Sequence, residues 1–159
     1  MTPNVDPIPK GFHTISAHLV VRDAVRAIEF YKKAFGAEES YRMPGPDGRT
    51  IMHALLRIGD SSLMLGDEFP DMGAKSPQTY GGSPVTIHLY VRDADAAFKR
   101  AVTAGATVRM PLADMFWGDR YGRLADPFGH EWSVATHTRD VPPQEMTKAA
   151  AAMCGGKKT

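Results

Sequence analysis

The chain has 159 residues, of which 43% are apolar and 23% are charged, and its formal net charge is +1 at pH 7. This composition is that of one folded domain rather than of a disordered or fibrous chain. The near balance of 19 basic and 18 acidic residues argues against a nucleic-acid partner, and no apolar run is long enough to predict a membrane span.

The start of the chain and its cysteine content predict a cellular compartment. The first residues, MTPNVDPIPKG, lack the apolar stretch of a secretory signal, and residues 1–11 are interpreted as an N-terminal extension. The one cysteine, Cys154, has no second cysteine for an internal disulfide and is interpreted as an exposed bystander. We therefore expect a soluble, cytoplasmic protein.

An internal repeat organises the chain. Residues 18–34 read HLVVRDAVRAIEFYKKA and residues 88–104 read HLYVRDADAAFKRAVTA, so that eight of seventeen aligned positions are identical. Unrelated segments of this length would share about one residue, given twenty residue types of unequal use. We infer that the chain is a tandem duplication.

The first copy predicts a strand followed by a helix. Apolar residues alternate from Ile15 to Val21, which indicates a strand with one face under a helix. Asp23 follows as the helix cap, and Gly36 is placed to end the helix. Three more strands are then predicted, at about residues 38–43, 50–58 and 61–66.

The second copy follows the same plan, with a strand from Val85 to Val91 and a helix capped by Asp93. Its later strands are predicted at about residues 106–112, 118–125 and 130–137. The chain is thus predicted to be an α+β fold of two tandem βαβββ modules. The predicted divisions are a domain over 12–137 with modules 12–66 and 83–137, a linker over 67–82, and a C-terminal arm with a short helix over 138–159.

Strand alternation predicts which side chains face away from the helices. His18 and His88 fall on that face at equivalent positions of the repeat, and His53, Tyr90 and Glu131 share it. Two such faces, related by a pseudo-two-fold axis, are expected to curl around one cleft. A cleft of this kind is the predicted binding site for a small organic molecule.

Two interpretations of the histidine pair remain open. His18, His88 and Glu131 together would make a two-histidine, one-carboxylate set for Zn, Ni, Fe or Mn. Alternatively, both histidines are hydrogen-bonded groups of a pocket without a metal. Glu131 would then act as a general base, or serve as a structural carboxylate held by Arg120 or a histidine.

Three side chains before the Asp-Pro-Phe-Gly turn are predicted to contact the ligand. Trp117 and Tyr121 would stack on a planar molecule, and Arg120 would hold an anionic oxygen. The alternative for all three is edge packing and anchoring of the turn.

Three segments carry a family resemblance: HLVVRDAVRAIEFYKKAFGAE, HLYVRDADAAFKRAVTAGA and WGDRYGRLADPFGHEW. They resemble the vicinal oxygen chelate superfamily of glyoxalase I, bleomycin-resistance proteins and extradiol dioxygenases, and within it the small PhnB-like members. The resemblance covers about residues 12–138. It implies paired βαβββ modules, a homodimer, and either a metal-assisted reaction or sequestration of a ligand.

The resemblance also implies where a metal would be bound in the glyoxalases. This chain has Ser16, Met64, Thr86 and Ser133 at those places, and none of them suits Zn, Ni or Fe. We therefore do not expect a true glyoxalase I. The first hypothesis is a protein that binds a small molecule between its modules. The alternative is a divalent-metal lyase, isomerase or dioxygenase with a site displaced to His18, His88 and Glu131.

Overall fold

The structure is a computed structural model that describes residues 5–155, apart from the side chains of Cys154 and Gly155. The interpretation of Cys154 therefore lies outside the described residues. So do the outermost parts of the predicted extension and arm, at residues 1–4 and 156–159.

The first module forms because an alternating strand leads directly into a capped amphipathic helix. The carboxylate of Asp23 accepts a hydrogen bond from the amide of Arg26, and Gly36 ends the helix in the left-handed conformation with a φ of 69°. The elements of this module are β1 (Ala17–Val21), α1 (Ala24–Phe35), β2 (Glu38–Pro44), β3 (Ile51–Ile58) and β4 (Ser61–Asp67).

A linker and the second module complete the chain. The linker holds a 3₁₀ turn (Pro70–Met72) and a short helix, α2 (Pro77–Tyr80). The second module contains β5 (Thr86–Tyr90), α3 (Ala94–Ala104), β6 (Thr107–Asp114), β7 (Asp119–Ala125) and β8 (Glu131–His137), and α4 (Pro143–Gly155) follows it. None of these helices, within the described part of the chain, has the length and apolar character needed to cross a membrane.

Each module makes a mixed four-stranded sheet. The strand orders are β1-β4-β3-β2 and β5-β8-β7-β6, and the two sheets do not close into a barrel. The first strand of each module pairs in parallel with the last, with Ala17 opposite Leu63 in one sheet and Ile87 opposite Trp132 in the other. The predicted α+β fold of two βαβββ modules is confirmed.

The helices cover one face of each sheet. Leu19 and Val21 are buried beneath α1, as their alternation predicts. Ile15 and Val85, which were also expected under the helices, are 89% and 63% exposed, because the strands begin only at Ala17 and Thr86. That part of the prediction is wrong. The face of each sheet away from its helix is called here the open face.

Side chains of α1 join the two modules. The ring of Phe35 lies 4.6 Å from that of Trp132, and Tyr31 packs beside both. The hydroxyl of Tyr31 and the indole nitrogen of Trp132 donate to the same oxygen of Asp126, at 2.7 and 2.9 Å. Because Asp126 is only 6% exposed, these bonds satisfy a buried carboxylate and fix the two modules side by side.

Candidate functional site

The open face of the second sheet collects polar and aromatic side chains from alternate strand positions. His88 lies opposite Ser133 in the pairing of β5 with β8, and Tyr121 lies opposite Ala135 in the pairing of β7 with β8. The side chains on this face include Thr86, His88, Tyr90, Asp119, Tyr121, Arg123, Glu131, Ser133 and His137. Tyr90, Tyr121, His88 and Glu131 thus lie on one face of one sheet.

His88 lies on this open face, in the middle of the edge strand β5. Its Nδ1 lies 2.7 Å from the hydroxyl of Ser133, which is only 2% exposed, and its ring centroid lies 4.4 Å from that of Tyr90 and 6.0 Å from that of Tyr121. Burial lowers the pKa of His88 below its ordinary value, against the weaker opposing effect of the Asp119 charge. The imidazole is therefore neutral near pH 7. Its Nε2 finds no hydrogen-bond partner among the described residues and is available to a ligand.

A buried carboxylate, Asp119, organises the aromatic side chains beside His88. It accepts hydrogen bonds from the hydroxyl of Tyr90 at 2.9 Å, from the indole nitrogen of Trp117 at 3.1 Å and from Nδ1 of His137 at 2.8 Å. Burial alone would raise the pKa of Asp119, but these three bonds outweigh it and lower the pKa. The polar atoms of Tyr90 and Trp117 are thus occupied, which leaves their ring faces for packing.

His137 lies at the edge of this network. Its hydrogen bond to Asp119, and then the one to Asp140 at 3.0 Å, raise the pKa of His137 above its ordinary value. Asp119 and His137 were not predicted as site residues. The sequence does contain an indication of Asp119, because it lies two residues from Tyr121 on one strand and therefore shares its face.

Two cavities lie where the modules meet, and His88 lines both. The larger, of about 490 Å³, lies between residues 58–61 at the β3–β4 turn and residues 88–92 of the second module, and Phe35 also lines it. The smaller, of about 160 Å³, lies between the start of β1 and β5. The larger cavity falls in the size range of small-ligand sites.

Glu131 lies on the same open face as His88, next to Thr86. Its Oε1 is 3.2 Å from Nε of Arg109, and its Oε2 is 3.7 Å from a terminal nitrogen of Arg123. Glu131 therefore accepts a hydrogen bond from Arg109 and lies near Arg123, and it is not held by Arg120 or a histidine as the structural alternative supposed.

The expected position of Arg120 is corrected. Its guanidinium makes two hydrogen bonds to Asp95 of α3, at 2.8 and 3.0 Å, and it reaches Asp114 at 3.5 Å. Side chains of a strand alternate between faces, so Arg120 points to the helix while its neighbour Tyr121 points to the open face. These carboxylates raise the pKa of Arg120 further above its ordinary value.

The N-terminal extension lies against the open face of the first sheet. The hydroxyl of Ser62 donates to the carbonyl oxygen of Gly11 at 2.6 Å. A cavity of about 410 Å³ separates residues 7–14 from Ser16 and Met64. The extension therefore contacts the first open face at the edge of this cavity.

The profile of the Glyoxalase/Bleomycin resistance protein/Dioxygenase superfamily matches residues 11–134. The chain belongs to this superfamily. The resemblance to the vicinal oxygen chelate proteins is thereby confirmed, whereas the PhnB-like subtype stays a prediction.

Similar proteins come from bacteria and plants. The chain is 52% identical over 159 residues to the uncharacterised protein Rv0887c of Mycobacterium tuberculosis, covering 98% of this chain and 89% of that protein. The X-ray structure of the Arabidopsis thaliana At5g48480 product matches with a TM-score of 0.63 at 32% identity, covering 78% of this chain and 98% of that one. The fosfomycin resistance protein FosX of Listeria monocytogenes, solved with Mn(II) and sulfate, matches at 15% identity with a TM-score of 0.61, covering 85% and 97%. That likeness shows the fold alone.

Superfamily membership raises the question of a metal. His18 lies on the first open face, with its ring 5.6 Å from that of His53, and burial, followed by the His53 charge, lowers the pKa of His18. His18 is not among the residues that line the two cavities at His88. Within the described residues, no three His, Cys, Asp or Glu side chains converge as a metal ion requires. His18, His88 and Glu131 of one chain therefore do not fit a metal centre.

Proposed function

We propose that this glyoxalase-superfamily protein binds a small planar organic molecule between its two modules and sequesters it without transforming it. The observation that carries the proposal is the position of His88. It lines both cavities at the module junction, and the rings of Tyr90 and Tyr121 flank it. Trp117 packs on Tyr121 with ring centroids 5.5 Å apart and extends this aromatic surface.

The chemistry of these groups suits an aromatic molecule with one polar substituent. Each aromatic contact in a favourable geometry contributes about 0.5–1.5 kcal/mol beyond the area that it buries. Because Ser133 occupies Nδ1 of His88, the neutral ring offers Nε2 to a hydroxyl or carbonyl group of the ligand. The site thus combines stacking surfaces with one directional hydrogen bond.

The test is direct binding of 2-naphthol, a planar probe, and of bleomycin, which the superfamily's name suggests. Isothermal titration calorimetry of Tyr121→Ala should give a dissociation constant for 2-naphthol about three to ten times that of the wild type. Tyr80→Ala is the matched control, since Tyr80 is 68% exposed in the linker. Unchanged affinity in Tyr121→Ala, or no binding of either compound to the wild type, would refute the proposal.

A metal-dependent lyase, isomerase or dioxygenase is the second candidate function. One observation favours it: a histidine that is fixed through Nδ1 and open at Nε2 is the usual arrangement of a metal-binding imidazole. Against it, Glu131 is paired with arginines and His18 lies on the other sheet, so no reaction step is assigned to a metal.

Elemental analysis of protein purified without added metal distinguishes the two functions. Sequestration without a metal predicts far less than one Zn, Ni, Fe or Mn per chain, both in the wild type and in His88→Ala. A stoichiometric metal in the wild type that is lost in His88→Ala would favour the enzyme and overturn the first proposal.

A further inference from the structure

We propose that Arg109 and Arg123 form an oxyanion subsite on the open face of the second sheet, which makes the ligand a planar aromatic acid. This inference rests on the proposed function, because it assigns the charge of the molecule that binds beside His88. Neither arginine was singled out by the sequence.

A β-bulge brings Arg109 to this face. The pairing of β6 with β7 passes from Val108 opposite Leu124 to Met110 opposite Arg123, so Arg109 is an extra residue on its strand. A bulge interrupts the strict alternation of side chains and redirects the extra one. Arg109 thereby reaches Glu131 of β8, across the width of β7.

The cluster has two positive charges and one negative charge. Glu131 accepts one hydrogen bond, from Nε of Arg109, while its Oε2 is buried and finds no hydrogen-bond donor among the described residues. The contacts of Arg123 are long, at 3.7 Å to Glu131 and 3.5 Å to the hydroxyl of Thr86. A well-formed bond between arginine and a carboxylate measures about 2.7–2.9 Å. An added oxyanion would supply the close partner that Arg123 lacks.

Arg120, which lies on β7 with Arg123, shows the contacts of an arginine whose donors are paired. It makes two bonds of 2.8 and 3.0 Å to Asp95, and its side chain is 31% exposed. The side chains of Arg109 and Arg123 are 53% and 42% exposed, so a ligand can reach them. Arg120 serves a structural pairing, whereas the other two arginines have donors to offer.

The subsite lies at a suitable distance from the aromatic surface. Arg123 is two residues from Tyr121 on the same face of β7, which corresponds to about 7 Å along a strand. It is also the pairing partner of Ser133, whose hydroxyl contacts His88. An aromatic ring that packs against the exposed edges of His88 and Tyr121 therefore places a carboxylate or phosphate substituent over Arg123.

The experiment compares 2-naphthoate with its neutral isostere 2-naphthamide by calorimetry at low salt. We expect the wild type to bind 2-naphthoate at least ten times more tightly, and added salt to reduce this preference. Arg123→Gln should remove most of the preference and Arg109→Gln/Arg123→Gln all of it. The matched control Arg120→Gln should retain it. 2-Naphthyl phosphate, run in parallel, distinguishes a phosphate ligand from a carboxylate.

The outcomes separate this inference from the proposed function. Equal binding of 2-naphthoate and 2-naphthamide by the wild type, or a preference that survives in the double variant, would overturn the subsite and leave the aromatic site standing. Binding of neither compound would overturn both. Retained binding of 2-naphthamide shows that a variant is folded, so a lost preference in such a variant supports the subsite.

Discussion

At the scale of single residues, Asp119 determines charge states on the second open face. The carboxylate is 4% exposed, and the three donors that hold it lower its pKa against the effect of burial. In return it raises the pKa of His137 above the ordinary value of a histidine, assisted by Asp140. One buried carboxylate thus orients two aromatic rings and favours the protonated form of the histidine beside them.

Replacing Asp119 by Asn should therefore lower the pKa of His137 and destabilise the fold. Loss of a charge-assisted buried bond costs about 1–3 kcal/mol of unfolding free energy, which urea denaturation measures. Proton NMR should show the pKa of His137 move down toward 6.5. Asp140→Asn, at a fully exposed position, should lower that pKa less and leave stability nearly unchanged. An unshifted His137 in Asp119→Asn would contradict this account.

The contact between Asp119 and His137 also predicts how the free energy of unfolding depends on pH. The raised pKa of His137 gives a stabilisation that is fully present below pH 6.5 and is lost as pH rises through the folded-state value. The lowered pKa values of His18 and His88 act in the opposite direction, since protonating them below pH 6.5 costs stability. The difference in unfolding free energy between wild type and Asp119→Asn isolates the His137 contribution. That difference should be larger at pH 6 than at pH 9.

The alternation of side chains along a strand predicts which face of the sheet each one occupies, provided that it is applied to every residue of the strand. It places His18, His53, His88 and Glu131 on the open faces, because each lies inside a strand with clear apolar neighbours. It was not applied to Arg120 and Tyr121, which are adjacent on β7 and so cannot share a face. The role of Asp119 was missed because its partners Tyr90 and His137 come from other strands.

At the scale of elements, the turn between β6 and β7 depends on Gly118. Its φ is 98°, and the carbonyl oxygen of Gly118 accepts hydrogen bonds from the amides of Thr138 and Arg139. A Cβ at this position would collide with the carbonyl oxygen of Arg139. The turn thereby holds Trp117 and Asp119 against the end of β8.

Gly118→Ala and Gly36→Ala form a matched pair for urea denaturation. Both glycines have positive φ, which costs alanine about 1–2 kcal/mol. A Cβ at Gly36 would have open space around it, so we expect only this conformational cost there. The free energy of unfolding should fall by at least about 1 kcal/mol more in Gly118→Ala than in Gly36→Ala, because the added Cβ clashes with the backbone. Equal losses of unfolding free energy in the two variants would contradict this expectation and would show that the turn accommodates the added Cβ without cost.

The bulge of β6 marks the limit of what the sequence predicts at this scale. Strands, helices and caps follow from alternation, Asp23, Asp93 and the glycines at the helix ends. A bulge depends on the register between two strands, which no local pattern in Thr-Val-Arg-Met-Pro reveals. The pairing of Glu131 with Arg109 was therefore not predictable, and the catalytic role assigned to Glu131 stays a prediction.

At the scale of the whole molecule, each open face leaves large side chains in solvent. Tyr41 on the first sheet is 52% exposed and Tyr90 on the second is 60% exposed. A second copy of the chain that covers these faces would bury them and enclose the ligand. This is the physical argument for the homodimer that the family resemblance implies.

Sedimentation velocity should accordingly give a particle of twice the 17.4 kDa chain mass at micromolar concentration. Tyr41→Glu places a charge on the first open face and should shift the equilibrium toward monomer. Tyr80→Glu, which alters an exposed linker tyrosine, should not. A wild-type protein that sediments as a monomer throughout the micromolar range would contradict the homodimer.

The bond between Tyr31 and Asp126 also bears on the order in which the chain acquires its structure. These residues are 95 positions apart, and β1 pairs with β4 rather than with its neighbour in sequence. Contacts between distant positions form slowly, because long loops must close before any contact compensates for the lost entropy. During synthesis, Tyr31 and Phe35 on the side of α1 that faces the second module stay uncovered until Trp132 has been made. The first module therefore exposes this apolar patch for most of the time that a ribosome spends on this chain.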